Sequence, residues 1–291
     1  MGQQALNGLF VGSIYALFAV GYTLVFGVLD ILNLAHQAVF MLAAFIALAL
    51  VSARLPLWAA LPLAVAAAGC IGLVLERLAF RPLRGRADSN ISGLISSIAV
   101  ATVFEAIALQ IFGPDISRFP ENTFPDRIIH IGSATASLLQ LCIIGISVLL
   151  MGALTLLLAR TRLGRQLRAV AESPRAARVL GINVNRVIAA AFFISSALGG
   201  AAGVLFGLAF NSISPDVGRS VELKGLAVII LGGMGSIPGA VAAGFAMGLI
   251  EVFTVARFGS SWRDGVSFGV LFLVLLARPR GLFGQAAARA A

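Results

Sequence analysis

The stretch Leu6–Leu29, LNGLFVGSIYALFAVGYTLVFGVL, contains no charged residue. A helix needs roughly 20 apolar residues to cross a hydrocarbon core about 30 Å thick, and this run is long enough. Lipid offers no hydrogen-bond partner to a bare peptide group, so a segment that crosses it alone must be helical. The stretch therefore predicts a transmembrane helix near the start of the chain.

Similar apolar runs recur along the whole chain. Of the 291 residues, 59% are hydrophobic and only 11% are charged, whereas soluble domains carry roughly 25% charged residues. We therefore predict an all-α polytopic membrane protein with about eight transmembrane helices, organised as a single transmembrane domain over residues 1–291. The predicted spans are 5–28, 34–53, 58–80, 92–112, 137–159, 188–210, 225–255 and 264–278.

The basic residues predict how these spans are oriented. The net charge is +9, and most of the Arg residues lie in patches between apolar runs. This is the positive-inside pattern of membrane proteins. A nucleic-acid surface would need a polar domain to carry it, so we expect no nucleic-acid partner. The predicted cytoplasmic regions are 77–86, 160–186 and the tail from 278, and the predicted external loops are 113–136 and 211–224.

The seventh predicted span, 225–255, is too long for one simple crossing. Its centre reads LGGMGSIPG over Leu231–Gly239, and Gly and Pro favour a break in the helix. A single crossing here would leave the Arg-rich tail outside, against the positive-inside rule. A re-entrant segment or two short helices would satisfy the rule, and one kinked helix remains the alternative. The side of the N-terminus is open for the same reason.

Motifs for catalysis and nucleotide binding are missing from the sequence. Lys224 is the single Lys and is followed by Gly225, so there is no P-loop ending in Gly-Lys-Ser/Thr. There is likewise no His-Glu-x-x-His motif and no Gly-x-Ser-x-Gly motif. Cys70 and Cys142 are expected to be small packing residues, because two isolated cysteines make no metal site. We expect no enzymatic activity, no metal and no bound cofactor, and any ATP must be bound by another chain.

The predicted cytoplasmic segment 160–187 begins with an amphipathic pattern. Leu163, Leu167 and Val170 have the spacing of one helix face. This predicts a first short helix with an apolar face and Arg residues around it.

A second short helix follows in the same segment. Ser173 is placed as an N-cap and Pro174 as the first helical residue. Gly181 is placed to end the helix in the left-handed conformation. Two short helices with small residues and surrounding Arg suit a docking surface for a cytoplasmic partner. The alternative is an interfacial loop anchored on lipid head groups.

The second helix resembles a known family motif. Ala176-Ala177-x-x-x-Gly181 is similar to the Glu-Ala-Ala-x-x-x-Gly loop of ABC importer permeases, which forms the coupling helix that docks on the ATPase. Arg175 stands where that motif has Glu, and the later Ile-x-Leu-Pro is missing, which departs from the maltose-type permeases. The chain instead resembles the LivH-type branched-chain amino acid permeases at 8–17, 26–36, 168–182, 231–239 and 278–284.

This resemblance implies the permease subunit of an importer in the bacterial inner membrane. Its partners would be a second related permease subunit, two cytoplasmic ATPase subunits that bind the ATP, and an extracytoplasmic solute-binding protein. It implies a small polar or amphipathic solute, such as a branched-chain or other amino acid, with urea also carried in the family. The implied coupling-loop residues are Leu167, Glu172, Ser173, Pro174, Arg175, Ala176, Ala177 and Gly181.

Polar residues inside the predicted spans are candidates for a translocation path. Asp30, Asn33, His36 and Gln37 cluster between the first two spans, although Asp30 and Asn33 could simply cap an interfacial turn. Glu105 lies within the fourth span and could pair with an Arg, mark the path or make a structural hydrogen bond. The candidate path residues are Asn33, His36, Gln37, Glu105, Gly233, Gly235 and Pro238.

Two other acidic residues are expected to be less informative. Glu251 is expected near the membrane interface, and Glu76 beside Arg77 is expected to anchor the cytoplasmic boundary. Two other functions remain open at this point, a structural or channel-forming membrane subunit without energy coupling and a secondary transporter. A secondary transporter with broken helices around a midplane site would also explain the Gly/Pro break, but it has no need for a docking helix at 160–187.

Overall fold

A computed structural model describes residues 1–84, 89–120, 123–125, 127–131, 134–278 and 281–283. Arg86, Arg280 and Arg289 of the predicted basic patches lie outside these ranges. The elements are α1 Gly2–Leu29, α2 His36–Ser52, α3 Leu57–Leu75, α4 Ser89–Phe112, β1 Ile128–Ile131, β2 Ala134–Ser137, α5 Leu138–Arg160, α6 Arg162–Glu172, α7 Pro174–Val179, α8 Val184–Phe210, α9 Val217–Gly232, α10 Ile237–Phe258 and α11 Arg263–Ala277. A π-helical turn, Glu76–Phe80, and a 3-10 turn, Arg81–Leu83, extend α3.

The prediction of an all-α polytopic protein is confirmed, with two differences. Within the described ranges, seven helices are long and apolar enough to cross a membrane. The count of about eight is not confirmed, because α2 and α9 have only 17 and 16 residues. The antiparallel strands β1 and β2 also form a small hairpin in the predicted external loop. Four-residue strands carry too weak a pattern to be recognised in the sequence.

The bundle is built around α1 and α8. In the most apolar 18-residue stretch of each helix, 89% of the α1 residues and 72% of the α8 residues are buried inside the protein. The corresponding shares are 22% for α5 and 17% for α4. The outer helices therefore direct much of their apolar surface outward. In a membrane this surface meets lipid or another subunit.

Glycine lets α1 and α10 pack backbone to backbone. A Cβ atom on Gly12 would lie 2.8 Å from the Cα of Phe245 and 3.0 Å from the carbonyl oxygen of Gly244. Side chains on Gly244 and Gly248 would collide in turn with the backbone of α1. The small residues of the stretch 239–248 thus form a close helix–helix contact. Close van der Waals contact of this kind drives helix association in lipid.

The seventh predicted span is in fact two antiparallel helices, α9 and α10. The turn between them places Gly233 at φ 98° and Gly235 at φ 85°, a region that L-residues with side chains avoid. Beyond the turn, Lys224 of α9 meets Glu251 of α10 at 3.0 Å, so the chain has doubled back. The single kinked helix is excluded, and α9 begins eight residues earlier than expected, which shortens the predicted loop 211–224 to 211–216.

The Arg-rich regions meet at one end of the bundle, which we call the basic end. Arg84 donates a hydrogen bond to Asn185 of the segment 160–187. The tail reaches the same end, where the backbone N–H of Leu282 donates to the carbonyl of Leu231 beside the α9–α10 turn. The N-terminus lies at the opposite end, where the Gln3 side chain bonds the backbone of Thr135.

The second predicted span, 34–53, does not begin at a membrane surface. The chain leaves α1 at Asp30, and residues 31–35 return without helical structure. The His36 ring at the start of α2 lies 4.8 Å from the Phe18 ring and next to Gly21. These positions are eight to eleven residues from the end of α1, which is about 12–16 Å at 1.5 Å per residue. We conclude that α2 starts inside the bundle.

The α1–α10 contact yields a first prediction. Gly244→Leu should separate the two helices and destabilise the chain by at least about 1–3 kcal/mol, because the new side chain meets backbone that cannot move aside. Thermal unfolding in detergent measures the effect. Gly152→Leu on α5 is the matched control, since a Cβ there has nothing within 4 Å. Equal stability of the two variants would contradict the packing described.

The two ends of the bundle yield a second prediction. In a Cys70→Ala, Cys142→Ala background, Asp115→Cys should react with a membrane-impermeant maleimide added to intact cells, and Arg165→Cys should not. Both positions are exposed, so access depends only on the side of the membrane. In inside-out vesicles the pattern should reverse. Reaction of Arg165→Cys from outside would refute the predicted orientation.

Candidate coupling segment and translocation path

The first helix of the 160–187 segment, α6, forms as the sequence predicts. The Thr161 side chain accepts a hydrogen bond from the backbone N–H of Gly164 and caps its start. Leu167 and Val170 are buried, at 2% and 0% exposure. They pack in one apolar cluster with Val187 and other residues of α8. An amphipathic face therefore fixes α6 against the membrane helices.

The second helix, α7, has the predicted caps at both ends. The Ser173 side chain accepts a hydrogen bond from the N–H of Ala176, and Pro174 is the first helical residue. At the other end Gly181 adopts φ 79°. The Gly181 N–H donates to the carbonyl of Arg178, and the Ile182 N–H donates to that of Ala177, both at 3.0 Å. This is the Schellman ending, which requires a left-handed residue at Gly181.

The predicted coupling residues divide between two faces. Leu167 and Ala177 point inward and are nearly fully buried, while Ser173 is partly buried. The others are exposed, namely Glu172, Pro174, Arg175, Ala176 and Gly181.

Two neighbours that the sequence analysis missed share this exposure. Val179 is 88% exposed and Leu180 is 76% exposed. An exposed apolar pair at a rigidly held helix end is typical of a contact surface. The sequence signal that could have identified this pair is Val179, which lies two residues from Ala177 and therefore about 200° around the helix from that buried residue.

A buried ion pair supports the same end of the bundle. Glu76, in the π-helical turn, is 2% exposed and pairs with Arg84. Burial lowers the pKa of the Arg84 guanidinium, and the neighbouring Glu76 carboxylate acts in the opposite direction. Glu76 was expected beside Arg77 as an anchor of the cytoplasmic boundary. The structure identifies its partner as Arg84, eight residues further along, which the π-helical and 3-10 turns bring back to Glu76.

Four of the seven predicted path residues form a cluster around the start of α2, namely Asn33, His36, Gln37 and Glu105. Asn33 and His36 are buried at 2% and 0% exposure, and among the described residues neither side chain has a hydrogen-bond partner. The Gln37 amide donates to the Glu105 carboxylate at 2.7 Å. Glu105 also pairs with Arg219 of α9, so the expected Arg partner exists. This cluster joins α2, α4 and α9 inside the membrane domain.

The other predicted path residues lie elsewhere. Gly233, Gly235 and Pro238 belong to the α9–α10 turn at the basic end. Gly235 approaches Gly27 near the end of α1, where a Cβ on Gly27 would lie 3.7 Å from the Gly235 Cα. These residues shape the turn and do not join the Glu105 cluster, because the break falls at a membrane surface and not at mid-depth.

The sequence analysis missed the partners of a third polar group. Glu251, expected near the interface, is 1% exposed. Its Oε1 atom lies 3.0 Å from the Lys224 ammonium and 2.9 Å from the Arg263 side chain. The Tyr15 hydroxyl donates to the same carboxylate, and Asp264 lies 3.2 Å from Lys224. Buried charges need such partners. The sequence signal for this polar group was Lys224, the single Lys of the sequence, in the apolar helix α9.

Comparison with known proteins places the chain in a family. The family of branched-chain amino acid transport system permease components matches residues 4–275. The permease BraD of the high-affinity branched-chain amino acid transport system of Pseudomonas aeruginosa is 37% identical over 97% of this chain and 95% of its own length. The corresponding LivH of Escherichia coli is 34% identical over the same shares. The autoinducer 2 import permease LsrC of Klebsiella pneumoniae is 34% identical over 46% of this chain and 40% of its own length.

These matches decide between the functions left open above. A match over nearly the whole chain favours a permease component over a free-standing secondary transporter, and permeases of this family are not themselves catalytic. The apolar helices and the relatives together identify a multi-pass inner-membrane protein. The chain belongs to the family of branched-chain amino acid transport system permease components.

Proposed function

We propose that this chain is the membrane-spanning subunit of an ABC importer that carries branched-chain amino acids into the cell by alternating access. The observation that carries the proposal is the rigidly capped α6–α7 segment, which holds an exposed contact surface at the basic end of a transport permease. The relatives named for branched-chain amino acids match over the whole chain, whereas LsrC matches less than half of it. This favours an amino acid as the solute.

The energy would come from partner subunits. Permeases of such systems work with ATPases that bind the ATP, and this chain has no P-loop. We expect two cytoplasmic ATPase subunits, one of which contacts Arg175, Ala176, Val179 and Leu180. A second related permease subunit would cover part of the outward apolar surface of helices such as α4 and α5. A soluble binding protein would deliver solute at the opposite end.

The packing of α6 and α7 suggests how force would travel. Leu167, Val170 and Ala177 share one apolar cluster with α8, so movement of the docking surface would move α8. α8 in turn holds α1, because the Ser195 hydroxyl donates to the Gly21 carbonyl at 2.7 Å. Close-packed interiors transmit such displacements. The route leads from the docking surface to the centre of the bundle.

The same route reaches the candidate path residues. Gly199 of α8 packs on the His36 ring, and His36 is adjacent to Gln37, which holds Glu105. Polar groups inside a membrane are energetically costly, so they usually pair with one another or line the path of a transported solute. We propose that the cluster around Asn33, His36, Gln37 and Glu105 borders the path that solute follows between the permease subunits.

Uptake of labelled solute tests the proposed function directly. In a bacterial strain without its own branched-chain amino acid uptake, this chain together with its neighbouring ATPase, permease and binding-protein genes should restore ATP-dependent uptake of leucine. Omission of this chain is the control. Restored uptake without the chain, or no leucine uptake with the complete set, would refute the proposal.

The docking helix yields a further prediction. Gly181→Pro removes the N–H that bonds Arg178 and cannot adopt φ 79°, so it should distort the end of α7. Strain of about 1–3 kcal/mol is typical for such a residue and would lower coupled uptake about tenfold or more, while membrane insertion stays normal.

Gly181→Asn is the matched control for this variant, because Asn tolerates the left-handed conformation. Uptake and solute-stimulated ATPase activity of the assembled system measure the effect. Normal uptake by Gly181→Pro would argue against the coupling role of α7.

A further inference from the structure

A cleft of about 750 Å³ opens at the basic end of the bundle. Its size is within the roughly 300–1,000 Å³ of small-molecule sites. The walls come from the ends of α1 and α5, from α6 and from the α9–α10 turn, and they include Phe26, Asp30, Arg168, Met234 and Ser236. It is separate from the cluster around Glu105.

One wall of the cleft is negative. Asp30 ends α1 in the left-handed conformation, with φ 54°, and its side chain is exposed. In the described part of the chain its carboxylate has no ion-pair partner within 4 Å. A carboxylate at a helix C-terminus also faces the negative end of the helix dipole, which is unfavourable for the protein alone. A bound cation would offset both effects.

Another part of the lining is positive. Arg168 of α6 is exposed, and one of its nitrogens donates to the carbonyl of Leu158. No carboxylate of the described ranges lies within ion-pair distance of it. The N-terminus of α10, a helix of 22 residues capped by Ser236, opens into the same cleft. Its dipole favours an anion. Pro238 has no N–H and the Gly239 N–H is bonded to the Ser236 side chain, so the Ile237 N–H is the donor of the first turn that a ligand could use.

Apolar side chains complete the lining. Phe26, Leu158, Met234 and Ile237 all border the cleft, and Met234 is 55% exposed. A flexible Met side chain adapts readily to apolar groups of different shape. A ligand that matches these walls carries an ammonium, a carboxylate and an apolar side chain together.

We propose that this cleft is a cytoplasmic binding site for a zwitterionic amino acid with an apolar side chain. The choice of ligand class rests on the proposed function, while the site itself follows from the charged walls. The occupant would bridge the α9–α10 turn and α6. Because α6 carries the docking helix, the bridge would resist the movement that drives import. Accumulated amino acid would thus slow its own uptake.

Equilibrium binding tests the site on the assembled permease–ATPase complex in lipid nanodiscs, without the soluble binding protein. Labelled leucine should bind saturably. Leucinamide, which lacks the carboxylate, and 4-methylpentanoate, which lacks the ammonium, should compete poorly. Asp30→Asn and Arg168→Gln should each weaken leucine binding several-fold, since each removes the charge that pairs with one end of the zwitterion.

Two further variants separate a site from a general charge effect. Arg168→Lys keeps the charge and should keep most of the affinity. Arg165→Gln removes an exposed charge from the same helix outside the cleft and should leave leucine binding unchanged. Thermal unfolding of each complex verifies that the variants are folded. Leucine binding that is unaffected by Asp30→Asn and Arg168→Gln would overturn the proposal.

A transport assay tests the regulatory part. In proteoliposomes that hold the complete importer, leucine loaded inside should lower the initial rate of uptake several-fold relative to empty vesicles. Asp30→Asn should bring the ratio of the two rates close to one. Undiminished uptake into loaded wild-type vesicles would refute the regulation while leaving the proposed function intact. Absence of any leucine uptake would instead refute the proposed function.

Discussion

Direct contact between helix backbones is the constraint on which the rest of the structure depends. Lipid supplies no hydrophobic force between helices, so stability must come from close van der Waals packing. Gly12 and Gly244 bring α1 and α10 together, and Gly203 brings α8 against the Phe40 carbonyl. With these contacts made, α1 and α8 form a buried centre, and the outer helices are free to face lipid or other subunits.

Rigid packing at the centre of the bundle connects the basic end to the polar cluster inside the bundle. At the basic end, α6 is fixed by Leu167 and Val170, so the exposed tip of α7 cannot move without α8. Inside the bundle, α2 starts beside α1 and presents Gln37 to Glu105. The proposed docking surface and the polar cluster are therefore linked by packed side chains and need no flexible connection.

The sequence predicted the features that depend on local chemistry. Apolar runs located the helices. The placement of the Arg residues predicted which regions lie at the same end of the bundle. Ser173, Pro174 and Gly181 located the caps of α7. What could not be predicted depends on three-dimensional neighbours. The start of α2 inside the bundle looks like any apolar span, and Glu251 meets Lys224 only because α9 and α10 fold back on each other. The close packing of the cluster around Asn33, His36, Gln37 and Glu105 likewise cannot be predicted from composition.

The lone lysine has a practical consequence. Lys224 provides the only side-chain amine of the sequence, and it is held by Glu251 and Asp264 with 12% exposure. Acylating reagents therefore have a single side-chain target, shielded while α9, α10 and α11 stay together. The rate at which Lys224 is acylated therefore measures how often that interface opens. Mass spectrometry can follow this rate without any introduced label.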